Sequence, residues 1–246
     1  MTGREIYSRT ELLVGPEGMA RLAAAKVAIF GVGGVGSWCA EGLVRSGVTH
    51  LMIVDSDVVS VTNINRQAMA DTTTVGRPKV EALRDRLLAI NPSAQIEAVQ
   101  KVYCEETAGE FDLDAFDAVV DCIDSLKDKI TLIMRATASS ARFYSALGAG
   151  LKVDPTKVRV GKFWDVRGCP LGSALRKKMR REGLVPIKPF LCVYDDEVLP
   201  NLGEPGEAPG ESGGSTLKAV VNGTMAHITA IFGFTLAGLV ISDVLK

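Results

Sequence analysis

Side chains and backbone groups suited to gripping phosphate and sugar fall into four clusters between positions 31 and 125 of the 246-residue sequence. The first is Gly31-Val32-Gly33-Gly34-Val35-Gly36, where small residues let backbone N–H groups approach an anion closely at the start of a helix. The second is the acid Asp55, 19 residues beyond Gly36, the spacing at which a nucleotide-binding βαβ unit places its ribose ligand; Asp57 follows it closely. The third gathers Asn63, Asn65 and Arg66, two amides and a guanidinium, and then Lys79, all after the ribose acid. The fourth is Asp121-Cys122-Ile123-Asp124-Ser125. These types in this order point to a bound nucleotide, without saying which.

The elements needed to position them are legible in the hydrophobic periodicity. An apolar run over 27–30 enters the glycine cluster, a helical pattern follows and closes at Gly47, and a second apolar run over 51–54 ends in Asp55. An amphipathic helix carries Val80, Leu83, Leu87 and Ile90 on one face, with Pro78 at its first position. Lys79 then sits in the first turn, where a cation is unfavourable unless a phosphate lies nearby. Strands are expected over 95–99, 117–121 and 142–147, the last running into Gly148-Ala149-Gly150. Ligands of doubly wound sheets collect at the carboxyl ends of strands, so Asp121 and Asp124 should face the crevice above the glycine loop. Asp124 could hold Mg²⁺ through one carboxylate, or it could simply adjoin a helix cap formed by Ser125. Ahead of all this, Ser8-Arg9-Thr10-Glu11 has the form of a capping box and Gly15-Pro16 restarts a second helix; Arg9 is either a solvated arginine or one that meets an anion.

The remainder leaves the βα rhythm. Val158 and Val160 suggest a strand, and 171–182 a helix whose only large apolar residues are Leu171, Leu175 and Met179. Its Arg176, Lys177, Lys178, Arg180 and Arg181 read either as a grip on nucleic-acid phosphates or as a solvated face. Residues 194–218 are acidic and rich in Gly and Pro, a composition that predicts a mobile loop. The stretch 219–240 is long and apolar enough for a membrane span, but Asn222, Thr224, His227 and Thr229 interrupt it, and it reads as a buried helix with His227 as a core histidine.

A net charge of -1 and 47% apolar residues suit one globular α/β domain. Five scattered cysteines without framework spacing predict reduced thiols and no disulfide, and no charged-then-apolar leader is seen, so a cytoplasmic protein is expected. The fold class expected is a Rossmann-like, doubly wound, mostly parallel sheet with helices on both faces and a C-terminal extension. Within a single domain over 1–246, residues 1–150 form the nucleotide-binding core, 151–218 a substrate-binding insertion and loop, and 219–246 a closing helix.

In order and spacing, GVGGVG, Asp55-Ser56-Asp57, Thr62-Asn63-Ile64-Asn65-Arg66-Gln67, Gly76-Arg77-Pro78-Lys79 and Asp121-Cys122-Ile123-Asp124-Ser125 resemble the adenylation domain of ubiquitin-activating-like enzymes such as ThiF and MoeB. The resemblance implies ATP as the nucleotide, Asp55 on its ribose, Arg66 and Lys79 on the triphosphate, Asp124 on Mg²⁺, and Arg9 reaching into the neighbouring subunit of a homodimer. ThiF and MoeB carry paired CxxC motifs and this chain has none, which implies no structural zinc. Tyr7 to Leu13, Gly148-Ala149-Gly150, Asp154-Pro155-Thr156, Pro170-Leu171, the RKKMRRE helix and Cys192-Val193-Tyr194 are similar to the tRNA threonylcarbamoyladenosine dehydratase family. That similarity implies tRNA as partner and ATP-dependent ring closure of the threonylcarbamoyl group. The alternative is an adenylyltransferase that activates the terminal glycine of a ubiquitin-like sulfur carrier. Cys169 stands where an aspartate is usual in that family, and the last helix lacks a cysteine some members carry, which weakens a persulfide route while leaving room for a cysteine-desulfurase or sulfur-acceptor partner. A peripheral membrane contact through the last helix stays open.

Overall fold

The computed structural model describes residues 3–203 and 222–246. In chain order the elements are α1 (Gly3–Ile6), α2 (Ser8–Ala24), β1 (Lys26–Phe30), α3 (Gly36–Arg45), β2 (His50–Val54), α4 (Lys79–Ile90), β3 (Gln95–Val99), β4 (Ala118–Asp121), α5 (Leu126–Ala138), β5 (Arg142–Ala146), β6 (Arg159–Lys162), α6 (Pro170–Arg181), β7 (Leu191–Tyr194) and α7 (Ala226–Val244). They build one seven-stranded sheet in the order β3-β2-β1-β4-β5-β7-β6. All neighbouring strands pair in parallel except β6 with β7. The order reverses between β1 and β4, and that reversal opens a crevice at the carboxyl ends of the two strands.

Alternation along the strands divides the core into two layers. Val27 and Ile29 of β1 face Leu43, Leu83, Leu87, Phe232 and Leu236, beneath α3, α4 and α7. Ala28 and Phe30 face the other way, toward Tyr103, Phe111, Ile133, Leu175 and Met179, beneath α5 and α6. Because both faces are covered, the buried residues of β1 and β2 are apolar on both sides rather than alternating with polar residues.

Several expectations are corrected. Ser8 does not cap α2, whose cap position is Tyr7; the Tyr7 hydroxyl donates to Val44 O at 2.6 Å and makes no cap bond to the helix. The helix does break at Gly15, with φ +72°, and resumes at Pro16. Pro78 takes the cap position of α4, so Lys79 is the first helical residue. Strand β7 was not foreseen; it inserts between β5 and β6 and carries buried Cys192 and Val193. Cys169 takes the cap position of α6, its Sγ accepting from Gly172 N at 3.5 Å, a weak stand-in for an aspartate cap.

The acidic stretch after Tyr194 is ordered where it is described. Asp195 is fully buried, and Glu197 accepts hydrogen bonds from the backbone N–H groups of Val153 and Asp154 and pairs with Lys157 at 2.9 Å. Residues 204–218 of the expected mobile loop, and 219–221 of the expected apolar helix, lie outside the described residues. The final helix starts at Ala226, later than expected, and buries Ile228, Thr229, Phe232, Gly233, Leu236, Ala237 and Val240. Its approach to α3 is close enough that a Cβ on Gly233 would lie 2.5 Å from Val35 O. His227 is not a core residue: it is exposed, with Nε2 2.9 Å from Val153 O.

Candidate nucleotide site

The glycines of the first βα turn divide by what surrounds them. Gly31 has φ +84°, and a Cβ there would lie 2.7 Å from Cys122 O; one on Gly36 would lie 1.9 Å from Gly31 O. Those two are demanded by the turn itself. A Cβ on Gly33 would meet only Gln67 Nε2, at 3.8 Å, so its bareness leaves open space at the mouth of the crevice. Gln67 was given no role in the sequence: its side chain is buried, its Nε2 is the atom that faces Gly33, and its Oε1 is enclosed without a hydrogen-bond partner. Its place at the end of the Thr62–Gln67 stretch was the signal that could have drawn notice to it.

Asp55 leaves the end of β2 with both carboxylate oxygens already oriented. Oδ2 accepts from Val32 N in the glycine turn at 2.8 Å, and Oδ1 from Asp57 N at 2.9 Å. Burial pushes its pKa up, opposed by the Lys79 charge and by the two amides. The remaining lone pairs suit the hydroxyls of a ribose. Next to it, Lys79 Nζ pairs with Asp57 Oδ2 at 2.7 Å, and Lys79 N donates to Asp57 O at 2.9 Å, so the start of α4 is stitched to the strand end that carries Asp55.

Arg66 donates through Nη1 to Thr62 O and Asn65 Oδ1, both at 2.9 Å, and its own carbonyl accepts from the Trp38 indole at 2.9 Å. Its side chain stem also lies against the bare face of Gly34. Asn65 Nδ2 donates to Thr224 O at 3.0 Å, tying this loop to the approach to α7. Asn63 is buried, and its Oδ1 accepts from Ser60 N at 3.0 Å, so that amide oxygen is engaged in closing its own turn.

The fourth cluster divides in two. Asp121 does not face the crevice: it is fully buried, paired with Lys129 at 2.8 Å and hydrogen-bonded by Ser145 Oγ and Ile123 N. It lies at the carboxyl end of β4, as expected, but a buried cation on α5 draws it inward. Asp124 and Ser125 are exposed. Ser125 occupies the cap position of α5 without a side-chain cap bond, and Asp124 makes no hydrogen bond or ion pair among the described residues. Also among the described residues, no three His, Cys, Asp or Glu side chains gather as a metal site. A lone carboxylate is nevertheless an adequate protein contribution for Mg²⁺, which takes its other oxygens from phosphates and water.

Two further groups lie apart from the crevice. Arg9 is exposed on α2 and forms no hydrogen bond or ion pair among the described residues. On α6, Lys177, Arg180 and Arg181 are exposed and Lys178 half-buried, with Arg180 over the Trp164 ring at 5.3 Å. Arg176 departs from that set: it is buried over Phe163 and donates to Phe163 O at 3.1 Å, because it shares the inward face with Gly172, Leu175 and Met179. Burial lowers its pKa, and Arg167 and Arg180 add to that.

A glycine turn at the reversal of a doubly wound sheet, facing an acid on the next strand, defines a nucleotide-binding α/β domain. The ThiF family model matches residues 7–245. The tRNA threonylcarbamoyladenosine dehydratase of Bacillus subtilis is 35% identical over 244 residues, which cover 98% of this chain and 94% of that protein. Among solved structures, the ATP complex of the E. coli tRNA N6-threonylcarbamoyladenosine dehydratase, TcdA, superposes with a TM-score of 0.86 at 28% identity, covering 98% of this chain and 94% of that one. The AMP complex of the same E. coli protein superposes with a TM-score of 0.85, with the same identity and coverage. The chain belongs to the ThiF family, in the branch of the tRNA threonylcarbamoyladenosine dehydratases.

Proposed function

We propose that this protein is an ATP-dependent dehydratase of N6-threonylcarbamoyladenosine in tRNA, which activates the threonyl carboxylate as an adenylate and closes it into a ring. The observation that carries the reading is that Asp55 and Arg66 meet the Gly31–Gly36 turn and Lys79 pairs with Asp57 beside it, in a chain similar from end to end to such an enzyme.

In the first step a threonyl carboxylate oxygen forms a bond to the α-phosphorus of ATP, the bond from that phosphorus to the β-bridging oxygen breaks, and pyrophosphate leaves. Asp55 holds the ribose. Lys79 and Arg66 neutralise the oxygens on which charge develops. Magnesium, when bound, supplies further neutralisation of the leaving pyrophosphate, and Asp124 is the residue that would hold it. In the second step the neighbouring carbamoyl group bonds to the activated acyl carbon, AMP leaves and one proton is lost, so the net change in the tRNA is loss of water. Because nucleophile and electrophile share one molecule, high effective concentration drives closure without a covalent enzyme intermediate.

Partners follow from the same reading. The exposed residues of α6 meet tRNA phosphates. A second copy of the chain supplies Arg9 to the site, and Leu12 and Leu13, 88% and 86% exposed beside it on α2, offer that copy an apolar face. The enzyme works in the cytoplasm. Cys192 has no part in the scheme: it is buried, and burial pushes its thiol far above the usual range, away from the reactive thiolate.

Mixing the protein with ATP, Mg²⁺ and modified tRNA should release pyrophosphate and leave tRNA lighter by one water. Lys79→Ala and Asp124→Ala should abolish both signals, and Cys192→Ala should keep them. Loss of activity in the cysteine variant alone would overturn the scheme.

A further inference from the structure

Between the crevice and the second core layer lies a polar cluster with no exposure to solvent. Asp121, Lys129 and Ser145 are each fully buried. Lys129 stands in the first turns of α5, where both burial and the positive end of the helix oppose its charge. An ion pair in such a place adds little net stability, since apolar residues of similar volume would serve as well. What this pair does that apolar residues cannot is hold one particular stretch of backbone. Asp121 Oδ1 accepts from Ile123 N at 3.0 Å, while Lys129 Nζ donates to Ile123 O at 2.9 Å. Both backbone polar groups of the residue before Asp124 are therefore fastened to the two ends of one ion pair, and Ser145 Oγ, at 2.7 Å from Asp121 Oδ2, fixes the carboxylate from β5.

The other side of the same loop is fastened to the glycine turn. Cys122 N donates to Phe30 O at 2.8 Å, and Cys122 O lies so near Gly31 that a Cβ there would be 2.7 Å away. Asp124 thus projects from a two-residue bridge clamped at one end by the phosphate-binding turn and at the other by buried charges. Its own side chain is exposed and engages no partner among the described residues, so its direction depends on the backbone beneath it.

We propose that the Asp121–Lys129 pair and Ser145 are positioning residues that aim the Asp124 carboxylate at the magnesium of bound Mg·ATP. The proposal rests on the reading of Asp124 as the group that meets that metal. Supporting residues of this kind govern metal affinity without touching the metal.

Calorimetric titration of the full-length protein separates the possibilities. Ser145→Ala keeps the charge pair and removes one of its supports; it should weaken Mg·ATP binding about 10-fold while leaving AMP binding without magnesium unchanged. The charge-neutral double variant Asp121→Asn, Lys129→Met should weaken Mg·ATP binding about 100-fold, again sparing AMP. In an Asp124→Asn background neither change should weaken Mg·ATP binding further. Equal losses for Mg·ATP and AMP, or losses that persist in the Asp124→Asn background, would show a general loosening of the domain and sink the proposal. If Asp124→Asn alone leaves Mg·ATP binding intact, the metal role of Asp124 fails first and the positioning role goes with it. Should the double variant not fold, Ser145→Ala decides the matter by itself.

Discussion

Lys79 Nζ lies 2.7 Å from Asp57 Oδ2, in a pair whose lysine side chain is 9% exposed and whose aspartate side chain is 64% exposed. The lysine is held in place at the first residue of α4, and the group that neutralises it in the free protein is an outward-facing carboxylate that a triphosphate can replace. Asp57→Asn should remove that competitor. The ligand-free protein should lose about 1 kcal/mol of stability, the worth of a partly exposed pair, and the rise in melting temperature on adding ATP should grow. Thermal melts with and without ATP check this; an unchanged or smaller rise would mean that Lys79 does not reach the phosphates.

Asp55 governs a pH dependence of opposite sign for the fold and for binding. Burial holds its pKa above the ordinary 3.8, outweighing Lys79 and the amides of Asp57 and Val32. Ionising a carboxyl that is harder to ionise in the fold than in the unfolded chain takes stability away as pH rises through the folded pKa. In the proposed role of Asp55 the ionised form is also the one that accepts from ribose hydroxyls, so AMP affinity should fall as pH drops through the same value. Dissociation constants for AMP between about pH 4 and 8 should show this acid limb, and Asp55→Asn should flatten it at weaker overall affinity.

The proposed contribution of Arg9 to a neighbouring subunit's site can be tested by complementation. Arg9→Ala and Lys79→Ala homodimers should each be inactive. Mixed and reassociated, they should recover about a quarter of wild-type activity, since half the dimers would be mixed and each of those would hold one site with both residues intact. No recovery, with exchange of subunits verified, would place Arg9 in its own chain's site or in none.

On α6 the inward and outward arginines should separate cleanly. Lys177→Glu and Arg181→Glu should weaken tRNA binding and reduce the salt dependence of the logarithm of affinity by about one for each phosphate no longer neutralised. Arg176→Met should instead cost about 1–3 kcal/mol of stability, because Phe163 O loses its donor inside the protein, with the salt slope unchanged. Binding titrations at several salt concentrations, beside thermal melts, distinguish the two.

Glu197 fastens the stretch after β7 to the 153–157 turn. The amides of Asp154 and Val153, then Lys157, hold its pKa down from the ordinary 4.5 to about 2. A carboxylate easier to ionise in the fold contributes stability above its unfolded value and loses it as pH falls toward its folded one. The melting-temperature gap between wild type and Glu197→Gln should therefore be constant near neutrality and close as pH is lowered from 4.5 to about 2. A gap that stays constant down the whole range would exclude the carboxylate charge as its cause.

The strand–turn–helix around Gly31, the strands at β1 to β5 and the apolar face of α4 were legible because a local period of two or 3.6 and the demands of a tight turn are written in neighbouring residues. The place of Asp55 at the end of β2, facing the glycine turn, was legible for the same reason: one βα unit fixes how far it lies from the glycines. What only the tertiary structure decided is which charge meets which. Asp121 and Asp124 look alike in the chain, but Ser145 from β5 and Lys129 from α5 turn the first inward and leave the second at the surface. Arg176 looks like its basic neighbours until Phe163, packed beneath α6, takes it out of the exposed set. Gln67 and Glu197 gain their places from elements brought beside them by the fold. Spacing along a chain determines the face on which a side chain emerges; whether that face meets water, a counter-charge or an unpaired carbonyl depends on residues far off in sequence, and there the sequence by itself stops.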